Sequence, residues 1–217
     1  GMPYRLIIFD FDGTLADSLP WAASVVNQFA DQYGFRRIHP DEYDFLRGFD
    51  AKNLMQHLGV PMWKVPMMAV HVRSLMAQHI DEIPRFAGVD EMLRTLHGRG
   101  FVLAVVSSNS EHNVRTVLGP ENAALFTYFE CGASIFGKAG KLNTVLHKCK
   151  VAPAQAILIG DEIRDCDAAR KVHMAYGAVA WGYTHLDALE QQRPDEVFRE
   201  MGDIAQLPAA APADAAA

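Results

Sequence analysis

The chain has 217 residues, a net charge of −6 and a hydrophobic share of 50%. This length allows one large domain or a core with a smaller insert, and the hydrophobic share allows a substantial core. The acidic balance argues against a nucleic-acid surface, and no apolar run reaches the roughly 20 residues that a membrane-spanning helix needs. No secretory signal heads the chain, and the odd set Cys131, Cys149 and Cys166 fits a reducing compartment. We therefore expect a cytoplasmic protein without nucleic-acid or membrane partners.

Short apolar runs alternate with helical patterns along most of the chain. The strand-like runs end abruptly at polar residues or glycine, and they cover residues 4–9, 101–106, 128–133, 156–159 and 177–181. Amphipathic helical patterns separate them at residues 90–97, 111–118, 142–149 and 165–173. This alternation predicts an α/β fold with a parallel sheet that is flanked by helices on both faces.

Residues 16–84 follow a different pattern, with four helical segments and no convincing strand. Ser18 is placed to begin the first helix and Gly34 to end it. We predict an inserted, all-helical cap at residues 16–84 and a catalytic core that joins residues 1–15 to 85–207. The alanine- and proline-rich residues 208–217 are predicted to form a disordered tail.

Polar residues follow several of the predicted strands. Asp10 and Asp12, Ser107, Lys138 and Asp161 each come after a different strand or lie in its loop. Because ligands of open parallel sheets bind beyond the carboxyl ends of the strands, we expect these side chains to converge. The sequence therefore predicts a site with three carboxylates, a hydroxyl and an ammonium group.

This set of groups suits phosphoryl transfer. Carboxylates can hold Mg²⁺, and together with Lys138 the metal can neutralise phosphate charge. Asp10 can attack phosphorus, and Asp12 can protonate the leaving oxygen and then activate water. Gly13 allows a tight backbone turn beside the phosphate, so that its amide can donate to it.

Four ordered motifs give the chain a family resemblance. The segment that runs from Asp10 through Asp12 to Ser18 resembles the first motif of the haloacid dehalogenase superfamily, in its phosphatase branch. An apolar strand ending at Ser107 resembles the second motif, Gly137-Lys138 the third, and the segment from Gly160-Asp161 to Asp165 the fourth. With a helical insert after the first motif, the chain resembles the branch that includes phosphoglycolate phosphatase. The resemblance implies a Rossmann-like core.

The resemblance also implies a role for each matching residue. Asp10 matches the nucleophile and a metal ligand, and Asp12 matches the acid/base, with its backbone carbonyl as a second metal ligand. Ser107 matches the hydroxyl that binds the transferring phosphate. Asp161 matches a direct magnesium ligand, and Asp165 matches a second acid in the outer shell of the metal.

Other residues of these loops are candidates for binding phosphate or substrate. They are Thr14, Ser108 and Asn109, of which the last two also suit a role in shaping their loop. Arg47 lies between two helices of the insert, where it is either a solvated arginine or a group that recognises substrate at the cap edge.

The third motif departs from the family pattern, because relatives place prolines after its lysine and this chain has Lys138-Ala-Gly-Lys141. We predict Lys138 as the motif lysine, because a glycine precedes it and a helix is expected just after it. Lys141 is the alternative.

The predicted function is Mg²⁺-dependent hydrolysis of a small phosphorylated metabolite through an aspartyl phosphate, with phosphoglycolate as the leading substrate. A phosphomutase of the same superfamily and an inert phosphate-binding or signalling protein are the alternatives. A receiver domain would carry its phosphoacceptor after the third strand, and a dehalogenase would lack Asp12. We expect a monomer or a homodimer.

Overall fold

The structure is a computed structural model that describes residues 3–133 and 137–211. Six strands form one sheet in the order β3-β2-β1-β4-β5-β6, and every neighbouring pair is parallel. The strands are β1 (Leu6–Phe9), β2 (Val102–Ser107), β3 (Tyr128–Cys131), β4 (Ala156–Gly160), β5 (Ala175–Val179) and β6 (Glu196–Phe198). The predicted α/β class with a parallel, helix-flanked sheet is confirmed.

The central strands are buried on both faces, which explains why they appear in the sequence as continuous apolar runs. Ile7 and Phe9 of β1 enter one core cluster, whereas Leu6 and Ile8 enter the other, on the opposite face of the sheet. All four side chains are fully buried. The edge strand β6 was missed by the sequence analysis, because its three residues include the exposed Val197 and give no apolar run.

Helices follow or separate the strands. They are α1 (Leu19–Tyr33), α2 (Tyr43–Leu46), α3 (Ala51–Leu58), α4 (Val65–Gln78), α5 (Val89–Gly98), α6 (Glu111–Ala123), α7 (Gly137–Cys149), α8 (Ile163–Lys171), α9 (Leu186–Glu190) and α10 (Met201–Ile204). Side chains of α5, α6 and α10 contribute to one core cluster, and side chains of α7 and α8 contribute to the other. The helices therefore cover both faces of the sheet.

Helix α7 differs from its predicted bounds. It begins at Gly137 rather than at residue 142, so Lys138 lies in the first helical turn instead of just before the helix. The two glycines at positions 137 and 140 hide this turn from pattern analysis, because glycine disfavours helix interiors.

Between β1 and α5 the described residues contain four α-helices and three 3-10 turns, and no strand. This run of helices, residues 19–82, is called the helical insert below. The chain enters and leaves it side by side, since the Asp17 N–H donates to the Pro84 carbonyl and the Phe86 N–H donates to the Leu15 carbonyl. These bonds support the boundaries that we propose for a separate cap, residues 16–84.

The helical insert has a small core of its own. Ile38, Leu46 and Leu58 are its buried members. Helix α1 ends at Gly34, whose φ of 76° places it in the left-handed region. Glycine adopts this conformation without strain, and it ends helices for that reason.

The carboxyl-terminal segment corrects one prediction. The N–H of Tyr4 donates to the Pro208 carbonyl and the N–H of Ala210 donates to the Tyr4 carbonyl, so residues 208–210 are paired rather than disordered. Residues 212–217 of the predicted tail lie outside the described residues. In the described parts of the chain, none of the helices has both the length and the apolar character that a membrane crossing requires.

Candidate active site

The site lies at the carboxyl edge of the central strands. Strand β1 sits between β2 and β4, and Phe9 is in register with Val105 and Ile159. The residues that follow these positions therefore emerge together at one edge, where ligands of open α/β sheets bind. Asp10 comes directly after β1, and Asp161 comes directly after β4.

Three acids meet at this edge. Carboxylate oxygens of Asp10, Asp161 and Glu162 lie within 4.8 Å of one another. Burial, followed by the charge of Asp165, raises the pKa of Asp10 to about 8, and burial raises the pKa of Asp161 well above its usual range. A divalent cation would favour the charged form of each acid, and carboxylate oxygens are the ligands that Mg²⁺ prefers. The residues present therefore fit the magnesium ion that the sequence implies.

Asp161 is fixed by two donors. The Thr14 hydroxyl donates to Oδ1 over 3.0 Å, and the Tyr183 N–H donates to Oδ2 over 2.8 Å. Thr14, predicted as a phosphate- or substrate-binding residue, thus contacts a predicted metal ligand.

Two glycines make room for the Asp161 carboxylate. Gly13 has a φ of +80°, and a Cβ on it would lie 2.2 Å from Asp161 Oδ2. A Cβ on Gly182 would lie 2.1 Å from the Asp161 Cβ and 2.6 Å from the Gly13 carbonyl oxygen. Both positions therefore exclude any side chain larger than hydrogen.

Lys138 joins the acids from α7. Its Nζ lies 3.5 Å from Asp10 Oδ1 and pairs with Asp165 Oδ1. Burial favours the neutral amine, but the Asp10 and Asp165 carboxylates outweigh it and raise the pKa of Lys138. The other oxygen of Asp165 accepts the Glu162 N–H over 3.0 Å. Asp165, predicted in the outer shell of the metal, is thus bound to the lysine, and Glu162 occupies the third place in the acid cluster.

Lys141 has different partners. Its Nζ donates to the Ser107 carbonyl over 2.7 Å and also to the Gly132 carbonyl. The side chain is buried, and burial lowers the pKa of its amine. Lys141 therefore ties the end of β2 to the end of β3, whereas Lys138 lies beside Asp10.

The loop after β2 brings only part of its predicted residues to the site. Ser107 is 2% exposed, and its hydroxyl accepts the Asn109 N–H over 3.0 Å. The Asn109 amide donates to Asp12 Oδ2 over 3.3 Å and contacts the Met76 sulfur at 2.8 Å. Ser108 is exposed, and its carbonyl accepts from Arg73 of α4. Asn109 thus links Asp12 to the helical insert.

The surroundings of the Asp12 carboxyl group suit a proton donor. Its Oδ2 accepts from Asn109, but its buried Oδ1 has no partner among the described residues. Burial raises the pKa of its carboxyl group. A buried oxygen without a partner is costly as part of an anion and far less so when it carries a proton. Burial therefore shifts the Asp12 carboxyl group toward its neutral form, although the Ser18 and Asn109 side chains oppose that shift.

Arg47 connects the helical insert to the core. Its Nε donates to the Tyr183 carbonyl over 3.1 Å and its Nη2 donates to the Gly182 carbonyl over 2.8 Å. The His185 N–H donates back to the Arg47 carbonyl over 2.9 Å. Arg47 is therefore partly buried and bonded to the core, and its role in recognising substrate stays a prediction.

Three residues of the site were missed as functional candidates by the sequence analysis. They are Glu162, Gly182 and Tyr183, whose hydroxyl lies 2.5 Å from the Ser18 hydroxyl. Their positions carried a usable signal, since Glu162 follows a strand end next to Asp161 and the other two follow β5 at the same edge. The strand-end rule, applied to every strand, would have selected all three.

Comparison with known proteins agrees with this geometry. The sequence profile of the haloacid dehalogenase-like hydrolases matches residues 7–179. The chain is 31% identical to phosphoglycolate phosphatase of Synechococcus elongatus over 203 residues, which cover 93% of this chain and 96% of that protein. It is 27% identical to the enzyme of the same name from Vibrio cholerae, over 94% of this chain and 96% of that protein.

Among solved structures, a candidate phosphoglycolate phosphatase from Lactobacillus plantarum superimposes with a TM-score of 0.79 and 25% identity. The match covers 94% of this chain and 98% of that one. The profile runs from β1 to the end of β5, and each of these relatives and the solved structure covers more than nine-tenths of the chain. The chain belongs to the haloacid dehalogenase-like hydrolase family.

Proposed function

We propose that the protein is a Mg²⁺-dependent phosphatase that hydrolyses small phosphomonoesters through an aspartyl phosphate on Asp10. The observation that carries this proposal is the convergence at one sheet edge of Asp10, Lys138 and Asp12, whose buried Oδ1 has no partner in the described parts of the chain. A nucleophile, a cation and a neutral acid are the groups that phosphoryl transfer from an ester requires.

The reaction has two steps. In the first, a carboxylate oxygen of Asp10 forms a bond to phosphorus while the ester P–O bond breaks, and the leaving oxygen takes the proton of Asp12. In the second, water attacks the phosphorus, Asp12 takes a proton from that water, and the bond to Asp10 breaks to release inorganic phosphate. Asp10 and Asp12 then return to their starting forms.

Other side chains stabilise charge during transfer. Lys138 keeps its positive charge because two carboxylates face it, and it can pair with a phosphoryl oxygen beside Asp10. The Ser107 hydroxyl is a further donor that we assign to the phosphate. The Gly13 N–H, predicted as another donor, instead donates to the Ala16 carbonyl over 2.9 Å. Asp10, Asp161 and Glu162 would hold the Mg²⁺, which supplies positive charge next to the transferring group.

The relatives suggest a first substrate to test. The two curated relatives described above carry the name phosphoglycolate phosphatase. Phosphoglycolate therefore belongs in any panel of small phosphomonoesters, together with neutral alkyl and aryl phosphates.

The aspartyl phosphate is testable by rapid acid quench. With a ³²P-labelled substrate and Mg²⁺, we expect label on the protein that is stable in acid, lost in neutral hydroxylamine, and located on Asp10 by peptide mapping. Excess chelator should abolish both labelling and phosphate release. Undiminished hydrolysis in chelator, or turnover without any labelled protein during a single cycle, contradicts the proposal.

A further inference from the structure

A cavity of about 280 Å³ lies where α1, the segment from Ile38 to Leu54 and the loop after β5 meet. Most of its wall is apolar. The apolar residues include Leu19, Ala22, Val26, Ile38, Leu46 and Leu54. Aliphatic walls of this kind bind apolar groups and offer few partners to a charged one.

The cavity adjoins the acid cluster. Glu162 and Tyr183 line it, and Glu162 is one of the three acids whose oxygens lie within 4.8 Å of one another. The Tyr183 N–H binds Asp161. A phosphomonoester with its phosphate at Asp10 therefore has this cavity as the adjacent space for its leaving group.

The charged residues of the wall disfavour an anionic leaving group. Two are acids, Asp50 and Glu162, and one is a cation, Arg47. The Arg47 guanidinium already donates to the carbonyls of Gly182 and Tyr183. Glu162 is paired with Arg164. A substrate carboxylate would therefore lose its hydration here beside the Asp50 carboxylate, and the Arg47 cation that could balance it already donates to two carbonyls.

We propose that the cavity selects phosphomonoesters whose leaving group is neutral and apolar, of alkyl or aryl type and larger than glycolate. This inference rests on the proposed phosphatase activity and names the substrate class of the same site. The proposed substrate class does not include the substrate in the relatives' names, because glycolate has two carbons and carries a negative charge.

Two shape-matched substrates test the selection. Isobutyl phosphate and 2-phosphoglycolate differ in whether two methyl groups or two carboxylate oxygens branch from the second carbon. The carboxylate makes glycolate the better intrinsic leaving group, so chemistry alone does not favour the alkyl ester. We expect kcat/KM for isobutyl phosphate to be at least about tenfold higher, the lower end of what methyl-sized differences yield in apolar pockets.

The outcomes separate the two proposals. Equal or higher kcat/KM for 2-phosphoglycolate overturns the inference and leaves the phosphatase activity standing. Failure to hydrolyse any phosphomonoester above the background of an Asp10→Asn variant overturns the phosphatase activity itself.

A cavity-filling variant tests the location. Ala23 lines the cavity, whereas Ala77 is exposed on α4 and serves as the matched control. We expect Ala23→Phe to lower kcat/KM for isobutyl phosphate about tenfold and for methyl phosphate less than about twofold. Ala77→Phe should leave both values unchanged. Equal losses on both substrates in Ala23→Phe overturn the assignment of the cavity.

A second variant covers the case in which Ala23→Phe does not fold. Val26→Ala enlarges the same cavity. It should raise the ratio of kcat/KM for 1-naphthyl phosphate over phenyl phosphate severalfold, since the added ring needs the added space. A ratio that stays at the wild-type value overturns the assignment.

Discussion

At the carboxyl edge of the sheet, polar side chains are buried and held by several partners, whereas the helical insert buries few polar groups and exposes large apolar ones. Asp161 and Asp165 are fully buried, and each accepts from more than one donor. In the insert, Phe45 is 63% exposed and Trp63 is 76% exposed. The two regions therefore owe their order to different interactions.

This difference matches a division of tasks. Groups that move protons or stabilise charge must be preorganised, because reorganisation during the reaction adds to its barrier. An apolar surface that receives a leaving group needs only the right size and chemistry. Under the proposed function, the edge of the sheet would determine the reaction and the insert would determine which ester enters it.

The largest effect on kcat is expected at Asp10, the proposed nucleophile at the edge of the sheet. Asp10→Asn keeps the shape of the side chain but removes the nucleophilic carboxylate. We expect kcat to fall by at least about four powers of ten, as for other essential nucleophiles, with no loss of thermal stability. Steady-state kinetics and a melting curve measure both, and activity within tenfold of the wild type contradicts the aspartyl-phosphate mechanism.

The two lysines of α7 are expected to have different roles, Lys138 in catalysis and Lys141 in stability. Lys138 lies 3.5 Å from Asp10, and Lys141 donates to backbone carbonyls. Lys138→Ala should lower kcat about a hundredfold, as loss of one electrostatic donor does. Lys141→Ala should lower the free energy of unfolding by about 1–3 kcal/mol, because it leaves buried carbonyls unpaired.

Kinetics and urea unfolding on both variants test this assignment. A larger loss of kcat in Lys141→Ala than in Lys138→Ala would show that the motif lysine is Lys141.

The sequence predicts the chain positions of the site better than its contacts. Asp10, Ser107 and Asp161 were predicted because each ends or follows a buried apolar run, and the parallel order of the strands brings them to one edge. The position of Glu162 after β4 marks it as a candidate, but the sequence does not show that Glu162, rather than Asp165, joins the acid cluster. Both acids follow β4, and side-chain direction in that short turn decides which one joins the acid cluster.

In the fold, short or irregular elements escaped prediction. Strand β6 has three residues, one of them an exposed valine, and therefore shows no alternation long enough to detect. The partners of Arg47 lie more than 130 residues away in sequence. No local pattern encodes a contact at that separation, so the link between insert and core is visible only in three dimensions.

A smaller effect is expected when a methyl group is added at a closely packed glycine of the edge, compared with a glycine beside open space. Gly182→Ala places a Cβ 2.6 Å from the Gly13 carbonyl oxygen, and a backbone atom cannot move away as a side chain can. We expect a loss of about 1–3 kcal/mol in the free energy of unfolding, typical of overpacking, together with reduced kcat from displaced Asp161.

Gly98→Ala at the end of α5 is the control, since nothing lies within 4 Å of its added Cβ. It should be neutral or slightly stabilising. Equal stability of the two variants would mean that the approach of Gly182 to Asp161 is not as close as described.

The smallest effect is expected in the insert, at the exposed Trp63. This side chain is 76% exposed, so Trp63→Ala should change the free energy of unfolding by less than about 0.5 kcal/mol and leave kcat/KM unchanged. In the core, the indole N–H of the partly buried Trp181 donates to the Thr14 carbonyl over 3.0 Å. Trp181→Phe should therefore cost about 1 kcal/mol, because it leaves that acceptor without its donor. Urea unfolding of both variants measures the two losses in free energy of unfolding. A loss in Trp63→Ala that equals or exceeds the loss in Trp181→Phe would show that the stability of the insert depends on its exposed apolar side chains.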